Sequence, residues 1–214
     1  IEPEFAFSRT SFPVPIPTSM EWGPDDRLYV LEMFGKIHAL TLGPNKEVLD
    51  DEVITSLQDD LGPRLALGLA IDPASTANDV MLWVSHSSPS LDNGAPNSGI
   101  VTRLSGTDFS TIDHTITGLP RAIANHGTNS LHFGPDGRLY IAQGGNTGAG
   151  APNTAPSEFG DMEEQPLSAA LLVADVYMVG FDGSCNNPDN IFGIPPCDVA
   201  VYSSGLRNIY DFVF

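Results

Sequence analysis

Hydrophobic residues in this chain fall into short runs broken by turn residues, and no long stretch repeats them at the 3.6-residue period of a surface helix. The runs "RLYVLEM" (27–33), "KIHALTL" (36–42), "VMLWVSH" (80–86), "GIVTRLS" (99–105), "RLYIAQG" (138–144) and "DVAVYSS" (198–204) are rich in β-branched and aromatic residues and partly alternate. Between them stand "GPDD", "GPNK", "DPAS", "GPDG" and "FDGS", each a turn signal. The pattern predicts an all-β chain of short strands. Residues 165–176, "QPLSAALLVADV", fit either a short helix or a buried strand.

An internal repeat narrows the architecture. Met20-Glu21-Trp22-Gly23-Pro24-Asp25-Asp26-Arg27-Leu28-Tyr29-Val30 aligns with Leu131-His132-Phe133-Gly134-Pro135-Asp136-Gly137-Arg138-Leu139-Tyr140-Ile141, about a hundred residues later. Each copy reads as strand, Pro-Asp turn and strand, since proline presets φ at the turn and Asp or Gly tolerates the remaining turn positions. "LALGLAIDPASTANDVMLWVSH" (65–86) is a looser third unit, and "SGLRNIYDFVF" (204–214) opens a fourth. Units at this spacing suit a β-propeller of four-stranded blades. The expected blades are 19–60, 65–120 and 129–204, with 205–214 beginning the next and the fold continuing beyond Phe214.

Composition excludes some function classes. Nine Lys+Arg stand against 27 Asp+Glu, a net charge of −18. A nucleic-acid partner is not expected, because phosphate binding needs a basic surface. The apolar runs are too short to span a bilayer. Cys185 and Cys197 flank eleven residues that include Pro188, Pro195 and Pro196. With no histidine nearby to complete a zinc site, the pair reads as a disulfide rather than two free thiols. Such a bond implies an oxidising, extracellular or cell-surface setting.

Three stretches carry a more specific likeness: "LALGLAIDP" (65–73), "NHGTNSLHFGPDGRLYIAQGGNTGAG" (125–150) and "YSSGLRNIYDFVF" (202–214). In order and spacing they resemble the glucose/sorbosone dehydrogenase family, soluble quinoprotein sugar dehydrogenases built as six-bladed propellers. The wording is closest to versions found as modules of large extracellular proteins. The resemblance implies pyrroloquinoline quinone (PQQ) and calcium as cofactors and a sugar or polysaccharide as substrate. It makes His126 the catalytic base that takes a hydroxyl proton while hydride passes to the quinone. It places Arg207 and Asn208, the family's Arg-Asn, at the quinone, with Arg64 as a further quinone contact. Neutral imidazole suits proton abstraction near pH 7, and guanidinium suits a carboxylated quinone. His38, His86, His114 and His132 match no catalytic position and read as strand or surface residues.

Two positions depart from the family pattern. Pro63 stands where the enzymes carry Gln or Glu before the arginine. Gly144-Gly145-Asn146-Thr147-Gly148 replaces a "G-D-x-G" loop and so lacks its carboxylate. The lysine and arginines of later blades, and the carbonyls that hold calcium, would lie beyond Phe214, in remaining blades or partner chains of the same assembly. The first expectation is therefore an aldose dehydrogenase-like propeller. The alternative is a non-catalytic structural or carbohydrate-binding propeller module of an extracellular fibre, sheath or adhesin.

Overall fold

The computed structural model describes residues 14–124, 126–152, 162–186 and 197–214. Strands β1 (Pro17–Trp22), β2 (Arg27–Glu32), β3 (Ile37–Leu42) and β4 (Val48–Ile54) form one sheet in that order. After a short helix, α1 (Ser56–Leu61), a second sheet is built in the same way. It contains β5 (Leu65–Ile71), β6 (Leu82–Ser87), β7 (Gly99–Ser105) and β8 (Thr111–Leu119). The third contains β9 (Thr128–Phe133), β10 (Leu139–Gln143), β11 (Ala170–Ala174) and β12 (Val199–Ser204). All pairings are antiparallel between chain neighbours. These three four-stranded meanders are β-propeller blades.

Blades stack face to face, which explains why the strands show apolar runs rather than strict alternation. Along β2, Tyr29 and Leu31 point toward the second blade and meet Leu69, Leu82 and Val84. The intervening Leu28 and Val30 face the other way, onto Leu40. Along β10, Leu139 and Ile141 join Trp83, Val101 and Ile116 of the second blade. Tyr140, between them, packs instead on Leu171 and Val173. Each fully buried side chain of this kind contributes roughly 1.5–3 kcal/mol. Met20 and Trp22 of the first blade, and Tyr202 and Phe214 beside the third, remain exposed.

Residues 165–176 resolve in favour of a strand, β11, each of whose five residues is buried. Helix α1 has no counterpart in the pattern of the sequence, because a six-residue helix shows too few turns to display a period. Its buried residue, Leu57, enters the core between the first two blades, and Gln58 Nε2 donates to the Phe34 carbonyl at 3.1 Å. Cys185 and Cys197 form the expected disulfide. Cys185 sits in the core between the second and third blades, and its backbone N–H donates to the carbonyl of Thr117 in β8. Pro188, Pro195 and Pro196 lie outside the described residues.

Inner strands β1, β5 and β9 lie side by side and hold the blades in register. Thr18 Oγ1 donates to the Ala66 carbonyl at 2.9 Å, joining β1 to β5. Beyond β12 the chain returns to the centre. The Ser130 N–H donates to the Tyr210 carbonyl, and Asn129 Nδ2 donates to that of Ile209 at 2.6 Å. Residues 205–214 thereby lie alongside β9.

Candidate functional site

His126 lies in the loop joining β8 to β9, and only 5% of it is exposed. A buried arginine holds that loop in shape. Arg121 is 1% exposed. Its Nε donates to Ser87 Oγ at 3.1 Å, and its Nη2 donates to the Ser90 carbonyl at 2.8 Å. Its Nη1 donates to the carbonyls of Ala122 and His126. The arginine thus ties the histidine's own backbone to the end of β6. Sequence reasoning passed over Arg121. The available signal was the rarity of a cation in a chain with nine Lys+Arg.

The ring of His126 is oriented by the loop after β10. Its Nδ1 hydrogen-bonds the Gly145 carbonyl at 2.9 Å. A carbonyl only accepts, so the proton sits on Nδ1, and in the neutral ring the lone pair is on Nε2. Close approach of the two loops requires glycine at 144. A Cβ there would stand 2.7 Å from the His126 Cβ, and the Gly144 N–H donates to the Gly127 carbonyl at 3.0 Å. Burial pushes the His126 pKa below its ordinary value. The Gly145 carbonyl pulls it back, the Arg207 charge pushes it further down, Glu164 raises it and Arg121 lowers it.

Arg207 and Asn208 are both exposed in the segment after β12. The Gly145 N–H donates to the Arg207 carbonyl at 2.9 Å, so the loop that orients His126 also meets Arg207. Arg64 stands just before β5 and bonds to other partners. Its Nε donates to His86 Nδ1 at 3.1 Å, and its Nη2 donates to the Ser98 carbonyl at 3.1 Å. Consecutive residues at the end of β6, His86 and Ser87, therefore receive Arg64 and Arg121. Pro63 is exposed beside Arg64 and offers no side-chain polar group.

Arg64 sets the direction of a hydrogen-bond chain that runs through buried His86 to exposed Asp60. Because guanidinium only donates, His86 accepts at Nδ1 and donates from Nε2 to Thr102 Oγ1 at 2.8 Å. Thr102 Oγ1 in turn donates to His114 Nδ1 at 2.8 Å, and His114 Nε2 donates to Asp60 at 3.0 Å. Burial drives the His86 pKa well down, and the charges of Arg64 and His114 add to that. His86 is a neutral spacer in this chain. His38 is buried as well, between Glu32 and Asp51, each at 2.8 Å.

Two further groups complete the site. Gln143, fully buried at the end of β10, accepts from Thr128 Oγ1 at 2.9 Å and donates to the Pro120 carbonyl at 2.9 Å. The Asn146 side chain donates to the Glu163 carbonyl at 3.1 Å, while its buried Oδ1 has no hydrogen-bond partner among the described residues. A buried unpaired acceptor is costly.

No family model matches the chain, and no curated protein matches it. Solved structures do. The PQQ-bound aldose sugar dehydrogenase of Streptomyces coelicolor superposes with a TM-score of 0.57 over 88% of this chain, at 20% identity. An oxidoreductase of Thermus thermophilus described as a glucose dehydrogenase gives 0.54 over 90%, at 18% identity. The chain has the fold of these sugar dehydrogenase propellers. It spans about half their length, 52% and 53% of the two chains. At such identities the likeness is one of fold, so function rests on the site.

Proposed function

We propose that this chain supplies the histidine side of a sugar-oxidising cleft, in which His126 takes the hydroxyl proton of an aldose. The observation that carries the reading is the Nδ1 bond to the Gly145 carbonyl, which puts the lone pair of the neutral ring on Nε2, the atom that acts as the base. Burial keeps the imidazole neutral at pH 7, the form the work needs. PQQ, when bound, supplies the hydride acceptor. Arg64 and Arg207 are suited to its carboxylates, and the donor set is compatible with such a ligand. Arg64 is bonded to a neutral imidazole and a carbonyl, and Arg207 stands at the loop that orients the base. Asn208 flanks Arg207.

Calcium has no ligand set of three or more His, Cys, Asp or Glu side chains among the described residues, and no step is assigned to it. Further blades or partner chains would complete the cleft by packing on the apolar faces that bear Met20 and Trp22 at one end and Tyr202 and Phe214 at the other. The disulfide supports an extracellular setting. No helix among the described residues is long and apolar enough to cross a membrane. A second reading, carbohydrate binding without turnover in a structural module, draws on Pro63, which leaves Arg64 without a polar neighbour in front of it.

The test is dye-linked oxidation of an aldose panel by the native protein supplied with PQQ and Ca²⁺. His126→Ala should lower kcat by roughly 10²–10⁴-fold, the worth of a positioned base, while sugar affinity changes much less. Sugar binding with neither quinone binding nor oxidation would replace this reading with the second.

A further inference from the structure

The 144–148 loop carries no carboxylate of its own, yet the fold brings one to it. Glu164, from the connection between β10 and β11, accepts the Asn146 N–H through Oε2 at 2.9 Å. Through Oε1 it accepts the Thr147 N–H at 3.0 Å and the Thr147 hydroxyl at 2.7 Å. Ser168 Oγ donates to Oε2 as well. The Thr147 hydroxyl also accepts the Gly150 N–H at 2.7 Å, so the clamp extends to the end of the loop.

We propose that Glu164 is the positioning residue of His126, pinning the Asn146–Thr147 backbone so that the preceding Gly145 carbonyl stays aimed at Nδ1. The assignment rests on the proposed role of His126 as base. Four donors converge on two oxygens, which uses the full acceptor capacity of an ionised carboxylate. Neither a carboxylic acid nor an amide could reproduce it, because each would turn a donor of its own toward one of those N–H or O–H groups. Burial works against ionisation of Glu164. The bonds from Ser168, Asn146 and Thr147 outweigh it and hold the carboxyl below its ordinary range. The charge also reaches the imidazole, where Glu164 favours the protonated form against Arg207 and Arg121. Glu164 thus acts twice on one ring, by geometry and by field.

The test uses ¹⁵N-histidine NMR of the protein without added cofactor, so that its outcome does not depend on turnover. In Glu164→Gln, the ratio of the Nδ1–H to the Nε2–H tautomer of His126 should fall roughly two- to tenfold, the net worth of one hydrogen bond. The midpoint of its titration should move to lower pH, because an attractive charge is gone. Unchanged tautomer and midpoint, or a midpoint that moves up, would overturn the assignment. Should the variant not fold, hydrogen exchange in the wild-type protein decides. Protection of the Asn146 and Thr147 amides and of the His126 Nδ1–H should be lost together on acidification, while the Leu82–Val84 amides stay protected. Loss of the loop amides with Nδ1–H still protected would reject the coupling. A protein with this coupling but no sugar oxidation loses the dehydrogenase reading alone, and oxidation without the coupling removes only Glu164.

Discussion

The Tyr29 hydroxyl donates to Asp25 at 2.9 Å, and the Tyr140 hydroxyl donates to Asp136 at the same distance. In each copy the arginine between them closes a triad. Nε of Arg27 and of Arg138 donates to the aspartate at 2.6 Å, and the Nη2 atoms reach the tyrosine oxygens at 2.9 and 3.3 Å. The repeated G-P-D-x-R-L-Y is thus one device used twice: the turn aspartate reaches back across its corner to residues two and four positions on. The glycine that opens it leaves room for the ring, since a Cβ at Gly23 or Gly134 would stand 2.6 Å from the Tyr29 or Tyr140 ring. Sequence alone explained the proline and the aspartate as turn formers. The tyrosine and arginine belong to the corner only because the β2 and β10 strands bring every second residue back to one face.

These two corners should differ in stability. The Asp25 side chain is 9% exposed and that of Asp136 is 36% exposed. Asp25→Ala should cost about 1–3 kcal/mol in urea unfolding, because it strips a buried hydroxyl and a partly buried guanidinium of their shared acceptor. Asp136→Ala should cost less, since water replaces the carboxylate. Burial opposes ionisation of Asp25, but its bonds from Arg27 and Tyr29 outweigh that and depress its pKa. Its contribution is therefore fully present above the ordinary aspartate value of about 3.9 and is lost as pH falls through the depressed one. Equal losses from the two variants would refute the burial argument.

Reduction of Cys185–Cys197 should lower stability by roughly 3 kcal/mol, the loop-entropy worth of closing a short loop. A lowered urea midpoint, read with and without reductant, measures it, and the slope should rise because the reduced unfolded chain is less compact. Thiols in the native protein that alkylate without reduction would remove both the bond and the argument for an oxidising compartment.

The acid limb of the kcat/KM profile should track His126. On its proposed role as base the neutral form is the active one, so kcat/KM should rise with pH through the histidine pKa and level off above it. Burial and two arginine charges place that midpoint below the ordinary value of about 6.5. Arg207→Gln should move the limb to higher pH, because a cation that disfavours imidazolium is lost. A midpoint at or above 6.5 in the wild-type protein would contradict the buried, neutral base.

Much of the fold could be read from local chemistry. Strands β2, β3, β6, β7 and β10 stand out because both faces of most of them pack against neighbouring elements, so hydrophobic residues run along them, whereas β12 stands out by its β-branched and aromatic residues although only Val199 is buried. Strands β4 and β8 do not stand out. In "VLDDEVI" and "TIDHTITGL" most positions face solvent or half face it, and the apolar signal is diluted. Strand β1, "PTSMEW", has no fully buried residue and was visible only through the repeat.

Strand–turn–strand units, the blade repeat, the cysteine pair and the motif around His126 were all legible along the chain. Each is a short-range matter of turn chemistry, periodicity or spacing. The surroundings of that histidine are a different matter, because they are assembled from distant segments. Arg121 is distinguished by its burial against Ser87 and Ser90, about thirty residues back, and Arg64 by its bond to His86 on the neighbouring strand. Glu164 is one of 27 acidic residues and carries no mark of its own in "DMEEQPL". Its place comes from the fold-back of the connection between β10 and β11, which sets a carboxylate against backbone donors eighteen and seventeen positions away. Which acidic side chain meets which N–H depends on where the chain returns in space, and no local pattern of residues records that.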